Sequence, residues 1–261
     1  MAYPLSAAKQ QLRSLMKQRL SVVSAESVLV QSHKLFESLK SFQPYLDAKR
    51  ISIYLSMPTG EIQTDVIVRH ALGSGKQVFV PYLHKSPLDA PNTPARVMDM
   101  VHLKSIQDYE NLQPDRWGIP SIDPATVHER QCILGGPDSH QSDQAGLDLM
   151  LLPGVAFDLD DAGVVRRLGH GKGFYDFFMN RYLAKSASPD NEAKPISFYG
   201  LALTEQLLSG DPGEQVPMGR YDKRLHGLLL GNGQIKVSSG SSTLNSGDSL
   251  VTDISHISEP A

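Results

Sequence analysis

Apolar positions at Ala8, Leu12, Leu15, Met16 and Leu20 recur at helical spacing, which predicts an amphipathic helix from a Ser6 cap to about Leu20. Lys9 and Arg13 stand one turn apart on another face, continued by Lys17. Like charges at that spacing mildly destabilise an isolated helix. They read as a solvated face or as the contact for an anionic partner. A second helix starts at a Ser24 cap, with Val28, Leu29, Ser32, Leu35, Phe36 and Leu39 as its stripe, and ends before Pro44. The period then shortens. Residues 50–55 (RISIYL) form a strand, Thr64 opens a helix to about Leu72, residues 73–75 close it, and residues 77–81 (QVFVP) form another strand. Strand, helix, strand at this spacing implies neighbouring parallel strands joined by a right-handed crossover.

Residues 96–103 (RVMDMVHL) read as a strand with Met98 and Met100 on one face. A connector with Tyr109, Trp117 and the Gly118-Ile119-Pro120 turn follows. A tryptophan beside a turn serves either as a buried anchor, the commoner fate, or as cover for a ligand ring. Residues 148–152 are a short apolar run suited to a fully buried strand, interrupted by Pro153 and Gly154. Residues 155–157 resume an extended pattern, 160–163 are turn-forming, and 164–168 return as a strand. An aromatic-rich helix runs from Phe174 to Tyr182, a strand occupies residues 196–203, and a helical turn follows at 204–208. After residues 215–217 comes a charged loop with Arg220, Asp222, Lys223 and Arg224, then a last strand at 226–230. Residues 85–94, 123–146 and 186–194 are polar loops, the second an expected insertion, and no internal repeat is visible. The packed domain is expected to span residues 1–235, with a disordered serine-rich tail at 236–261.

Length and composition narrow the class without choosing a function. A chain of 261 residues can bury one large core, and a net charge of −3 gives no global electrostatic case for nucleic acid or an anionic membrane. One cysteine, Cys132, excludes an internal disulfide framework and fits a reducing compartment. No apolar run reaches the roughly 18–20 residues of a membrane span. A cytoplasmic monomer is the expectation, with a mitochondrial fraction compatible with the basic first helix.

Candidate chemistry centres on Gly169, Gly171 and Gly173, which alternate just before the aromatic helix. A glycine-rich turn entering a helix lets backbone N–H groups approach an anion, and the helix N-terminus adds partial positive charge. Arg166, Arg167 and Lys172 add full charges, and Asp176, one turn into the helix, can hold a metal ion on phosphates. Glycine alternation also marks ordinary tight turns. The spacing is neither a Walker A sequence nor a dinucleotide fingerprint, whose acidic partner would fall in the polar loop near residues 190–192. Glu61, after the first strand, stands where open α/β sheets place ligand contacts or where a carboxylate favours a helix start.

The block RLGHGKGFYD at residues 167–176, preceded by LLPGVAFD at 151–158, resembles the 5-formyltetrahydrofolate cyclo-ligases, also called methenyltetrahydrofolate synthetases. The Lys9/Arg13 pair, the RISIYLSM stretch leading to Glu61, the region from Met98 to Pro120, and Val216, Pro217 and Asp222 agree in order. The likeness covers about residues 6–230. It implies a single three-layer α/β/α domain around a mostly parallel sheet, similar to the sugar-phosphate isomerase and CoA transferase folds. It also implies ATP- and Mg²⁺-dependent closure of 5-formyltetrahydrofolate, polyglutamylated forms included, to 5,10-methenyltetrahydrofolate with release of ADP and phosphate.

The same resemblance assigns roles. Lys9, Arg13, Arg167, Leu168, Gly169, His170, Gly171, Lys172, Gly173, Phe174 and Tyr175 would surround ATP, with Lys172 and Tyr175 at the reacting groups. Leu55, Glu61, Trp117 and the turn His170, Gly171, Lys172, Gly173 and Phe174 would border the folate, and Asp176 and Asp222 would hold Mg²⁺. No covalent enzyme intermediate is implied, in keeping with the lack of a convincing Ser–His or Cys–His arrangement. His170 stands where close relatives often have arginine, Phe174 replaces a common tyrosine, and Lys172 alternates with glycine in relatives. These departures leave two competitors. One is a non-catalytic folate- or nucleotide-binding protein on the same fold. The other is a sugar-phosphate isomerase, suggested by fold analogy alone.

Overall fold

Seven strands make the central sheet, and the most uniformly apolar of them lies in its middle. The computed structural model describes residues 4–88, 93–138, 142, 146–187, 195–210 and 214–239. The first half contains α1 (Leu5–Ser21), α2 (Ala25–Lys40), α3 (Gln43–Asp47), β1 (Arg50–Ile53), α4 (Asp65–Gly73), β2 (Gln77–Lys85) and β3 (Arg96–Leu103). Next come α5 (Ile106–Glu110), β4 (Gln113–Pro114), β5 (Pro120–Ser121) and a 3-10 helix at Pro124–Glu129. The remainder contains β6 (Leu149–Leu152), β7 (Ala156–Leu159), β8 (Val165–Leu168), α6 (Phe174–Ser186), β9 (Ser197–Ala202), β10 (Gly227–Leu230) and β11 (Ile235–Val237).

The sheet order is β11-β10-β9-β6-β1-β2-β3. Pairs from β10 through β9, β6 and β1 to β2 are parallel, and β3 and β11 close the two edges antiparallel. Every residue of β6 is buried, as expected for a parallel strand covered on both faces. Because side chains alternate across a strand, Ile51, Ile53, Leu149 and Leu151 point to one face, where Leu35 and Leu39 of α2 and Ile67, Val68 and Ala71 of α4 cover them. Met150 and Leu152 point to the other, with Met98 and Met100 of β3 and Phe178, Met179 and Tyr182 of α6. The expected three-layer α/β/α arrangement is present.

The β7–β8 hairpin lies over the same face as α6. A Cβ at Gly154 or Gly200 would come within 2.5 or 2.6 Å of the Phe157 ring, so these glycines let that ring seat between β6 and β9. Leu12 and Met16 then fix α1 against the hairpin through Ala156 and Leu168, and against Leu208 and Val216. This places the basic face of α1 beside the glycine-rich turn.

Some expectations change at the edges. Pro4, not Ser6, stands at the N-cap of α1 and makes no side-chain cap. Ser24 does cap α2, its hydroxyl accepting the Ser27 N–H at 3.1 Å. Leu15 and Leu29 are 40% and 62% exposed, because the neighbouring layer covers a narrower arc than the apolar stripe offers. The expected insertion is partly docked. Asp99 accepts the Leu134 and Gly136 N–H groups, and Ile133 and Leu134 are buried. The chain remains in the sheet through Val237, and Ser238 is buried, donating to Leu225 O at 2.6 Å and accepting the Val165 N–H at 2.9 Å. The packed chain therefore passes residue 235, and the remaining tail from 240 lies outside the described residues. So do 89–92 of the 85–94 loop and 188–194 of the 186–194 loop.

Candidate active site

Parallel strands expose their carboxyl ends on one side of the sheet, and ligand sites of open α/β folds gather there. After β1 the chain makes the 56–61 loop; after β6 it reaches Pro153 and Gly154; after β9 it turns through Gln206. A cleft of about 750 Å³ opens among these segments, lined by Met57, Pro58, Thr59, Gly60, Gln63, Gly154, Val155, His170 and Gln206 on one side. Arg13, Lys17 and Leu20 of α1 and Val28 and Leu29 of α2 make the other wall.

The glycine-rich turn forms the rim. Gly171 and Gly173 have φ of +102° and +67°, a region that disfavours side chains. Gly173 is the left-handed N-cap of α6. Arg13 Nε donates to Gly169 O at 2.9 Å, and a Cβ on Gly171 would stand 3.2 Å from Arg13 Cζ. The turn is thus pressed against the α1 guanidinium. Its backbone and the first turn of α6 present N–H groups and a positive dipole end.

Two ion pairs flank this rim, and the carboxylate of each also accepts a backbone N–H from the loop before β10. Lys9 Nζ meets Asp222 Oδ2 at 2.5 Å, and that oxygen also accepts the Gly219 N–H. Arg167 Nη2 donates to Asp176 Oδ2 at 2.8 Å, while Asp176 Oδ1 accepts the Lys223 N–H at 3.1 Å. Arg167 is buried, with Nη1 on Pro153 O, and its Nε–H has no partner among the described residues. Arg166 is not a charge for this site. It forms a two-bond pair with buried Asp158, which also accepts the Val216 N–H.

Asp176 and Asp222 fit a Mg²⁺ ion chemically: both are hard carboxylates, each oriented by a backbone N–H. Among the described residues no group of three or more His, Cys, Asp or Glu gathers into a cage. A cation here would complete its shell with phosphate and water, as Mg²⁺ usually does.

Across the rim lies Glu61, 4% exposed, whose Oε1 accepts the Met57 N–H at 2.7 Å and closes the loop on itself. Burial pushes its pKa up to about 7, and the Met57 N–H opposes this in part. Burial also raises the pKa of Tyr175, helped by the Glu61 charge and opposed by Arg167, whose guanidinium lies 5.5 Å from the ring centre. The phenol is therefore neutral and available as a donor. Leu55 is buried in the apolar cluster against which Tyr175 packs.

Trp117 is 55% exposed, so it is no buried anchor. Asp115 Oδ1 accepts the Trp117 and Ile119 N–H groups, and Gly118 packs so closely on Pro58 that a Cβ would stand 2.8 Å from its Cγ. Trp117 thereby stands next to the 56–61 loop. His170, at the cleft mouth, is held below its usual pKa by loss of water around the ring and by the Arg167 and Arg13 charges. Its imidazole is neutral at pH 7 and does not replace the positive charge of an arginine. Lys172 is exposed, and Phe174 is half-buried against the cluster beneath α6.

Of the residues singled out from sequence, Arg13 and His170 line the cleft itself. Lys9, Arg167, Asp176 and Asp222 are joined into the two rim pairs, and Glu61 with Tyr175 stands opposite them. Lys17, Met57, Pro58, Thr59, Gln63, Val155 and Gln206 also line the cleft and were not singled out as site residues. Lys17 stands at the same four-residue interval as Lys9 and Arg13, which was a usable signal. Gln63 and Gln206 had none. Gln63 bonds Met57 O and Glu61 O, and Gln206 bonds Gly154 O, contacts set by the tertiary fold.

A model of the 5-formyltetrahydrofolate cyclo-ligase family matches residues 5–230. A probable 5-formyltetrahydrofolate cyclo-ligase of Caenorhabditis elegans is 36% identical over 208 residues, covering 78% of this chain and 85% of that protein. The 5-formyltetrahydrofolate cyclo-ligase of Mus musculus is 34% identical over 229 residues, covering 87% of this chain and 96% of that protein. Among solved structures, a 5,10-methenyltetrahydrofolate synthetase of Aquifex aeolicus has a TM-score of 0.57 at 21% identity, covering 95% of this chain and 98% of that one. At that identity the structural likeness speaks for the fold.

Proposed function

The chain belongs to the 5-formyltetrahydrofolate cyclo-ligase family, and from that premise we propose that it closes 5-formyltetrahydrofolate to 5,10-methenyltetrahydrofolate with conversion of ATP to ADP and phosphate. The observation that carries the proposal is the facing of two unlike half-sites. An anion-binding turn with Arg13 lies on one side, and a buried carboxyl, Glu61, lies across Tyr175 on the other. The first suits a polyphosphate, and the second suits the hydrogen-bonding edge of a neutral heterocycle. A binding protein without chemistry would not need Lys9, Arg13, Glu61, Asp176 and Asp222 together, and family membership favours the enzyme.

The reaction needs an activated formyl oxygen, since hydroxide is a poor leaving group. In the proposed sequence that oxygen attacks the γ-phosphorus, an O–P bond forms, and the bond from phosphorus to the ADP oxygen breaks. Electron density from N5 leaves a cationic carbon, which N10 attacks. N10 loses its proton, the C–O bond breaks, and phosphate departs with the bonding pair. Phosphoryl transfer of this kind depends on positioning and charge neutralisation.

The geometry above supports one reading of the protein's part. The backbone of residues 169–173 and the α6 N-terminus would surround phosphate oxygens, with Leu168 beneath and Lys172 reaching over from solvent. Lys9 and Arg13 would supply charge from α1. Arg167, being buried, would act mainly by orienting Asp176. Glu61 and the Tyr175 hydroxyl would orient the pterin, Leu55 would floor it, and Phe174, Trp117 and His170 would offer ring faces. Asp176 and Asp222 would hold Mg²⁺, whose contribution is to neutralise phosphate charge.

The apolar walls of the cleft suit the aromatic link of the folate, and Lys17 at the α1 rim suits its glutamyl carboxylates, supporting polyglutamylated substrates. Action as a cytoplasmic monomer completes the proposal. Among the described residues no helix is long and apolar enough to cross a membrane. Near-ultraviolet absorbance tests the reaction, with protein, 5-formyltetrahydrofolate and Mg²⁺ mixed first and ATP added last. A methenyl band that waits for ATP is expected. Folate binding without a band or ADP release would establish the non-catalytic alternative instead.

A further inference from the structure

Both carboxylates assigned above to the divalent cation are already engaged by cations of the chain itself. Asp222 holds Lys9, and Asp176 holds Arg167. Of the two occupants, Lys9 is assigned above to the nucleotide phosphates and Arg167 to orienting Asp176. Their freedom differs. Arg167 has a side chain only 2% exposed and is braced on Pro153 O, so it is fixed. Lys9 is 18% exposed and ends a flexible four-carbon stem on α1, so its ammonium can swing.

We propose that nucleotide and divalent cation enter by ion exchange at Asp222: Lys9 leaves this carboxylate for the phosphates as the cation takes its place. The inference rests on the site assignment proposed above and adds how the two ligands depend on each other. Metal ion alone must displace an ammonium that then has no anion to receive it. Metal-free nucleotide brings several negative charges to a rim whose two carboxylates are present and whose Lys9 is engaged. Together, each ligand removes the other's obstacle. The coupling is reciprocal, as linkage requires, and makes the metal–nucleotide complex the species the site selects. When Lys9 leaves, Asp222 stays in place because its Oδ2 also accepts the Gly219 N–H.

The test uses the full chain and binding alone. Mn²⁺ without nucleotide is titrated by the paramagnetic resonance of the free ion, and ATP with excess chelator by calorimetry. Lys9→Met should bind Mn²⁺ about five- to tenfold more tightly and metal-free ATP about five- to tenfold more weakly, the lower range of typical site coupling. Asp222→Asn should move both affinities in the opposite directions. Lys9→Arg, which keeps the charge and the reach, should stay near wild type. Lys223→Met removes a charge from the same rim, where only the residue's backbone N–H contacts Asp176. It should shift Mn²⁺ affinity by less than about twofold.

An unchanged or weaker Mn²⁺ affinity in Lys9→Met overturns the exchange, as does an equal gain in Lys223→Met, which would mean a general field. If wild-type protein fails to bind Mn²⁺ and ATP even together, the site assignment falls and the exchange falls with it. If it binds the pair but Lys9→Met shows no opposed shifts, only the exchange is lost.

Discussion

Arg167 and Asp176 are joined by a 2.8 Å hydrogen bond in which the guanidinium side chain is 2% exposed and the carboxylate side chain 18%. A residue expected to touch phosphate is thus committed to a residue expected to touch metal. Removing the carboxylate would leave a buried charge without its counter-ion. Asp176→Asn is therefore expected to lower stability by about 1–3 kcal/mol, less than a fully buried pair because Asn still accepts a hydrogen bond. Activity should fall by about a hundredfold or more. Urea denaturation and turnover measure the two effects. Adding Arg167→Met should recover part of the stability and none of the activity; wild-type turnover in Asp176→Asn would remove the residue from the site.

Glu61 provides a prediction with a sign that runs against intuition. Its pKa stands near 7 in the fold, against 4.5 for the free carboxyl, so the folded state holds the proton more tightly. This group favours folding fully below about pH 4.5, and the contribution is lost as pH rises through about 7. Glu61→Gln should then be more stable than wild type above pH 7, by roughly 3 kcal/mol from the size of the shift. The gap should shrink toward zero in acid. Denaturation at about pH 5 and about pH 8.5 decides the matter. Folate-dependent turnover should drop in the same variant, because the amide cannot supply a carboxylate to the pterin edge.

At Gly171 the φ of +102° and the 3.2 Å approach of a Cβ to Arg13 Cζ act together. Gly171→Ala should displace the turn from α1 and cost about 1–2 kcal/mol of backbone strain. Nucleotide binding should weaken by tenfold or so, since a small displacement of aligned N–H groups loses much of their effect. Calorimetric titration with ATP and Mg²⁺ checks this. Unaltered affinity would show that the turn does not meet the phosphates.

Trp117 is the single tryptophan of the chain and is 55% exposed beside Pro58. Its fluorescence should be quenched on adding 5-formyltetrahydrofolate and unaffected by ATP alone. Trp117→Ala should leave stability within about 0.5 kcal/mol, as for other exposed positions, and should raise the folate KM. Quenching that follows ATP rather than folate would reverse the placement of the two ligands.

Lys17 lines the cleft one turn beyond Arg13. Lys17→Ala should raise KM for a triglutamyl substrate several-fold more than for the monoglutamyl one, with kcat unchanged, since an exposed charge contributes uniform binding. Equal effects on both substrates would place the glutamyl tail elsewhere.

Local pattern alone specified a large share of this protein. Uniform apolarity at residues 149–152 marked the central strand, and Ser24 marked the start of α2, because burial and capping are governed by near neighbours. The ordered blocks around Lys9, Glu61, Arg167 and Asp222 carried the family, which the match over residues 5–230 bears out. Tertiary structure decided what those residues touch. Arg166 and Arg167 are adjacent in a strand and equally basic, yet alternation sends one to Asp158, its cross-strand partner in the hairpin, and the other to Asp176. The exposure of Trp117, the raised pKa of Glu61 and the engagement of Lys9 by a carboxylate 213 positions away depend on which distant segments meet. Sequence sets the propensities and charges of each segment, but electrostatics and burial depend on distances through space, and only the folded chain fixes those.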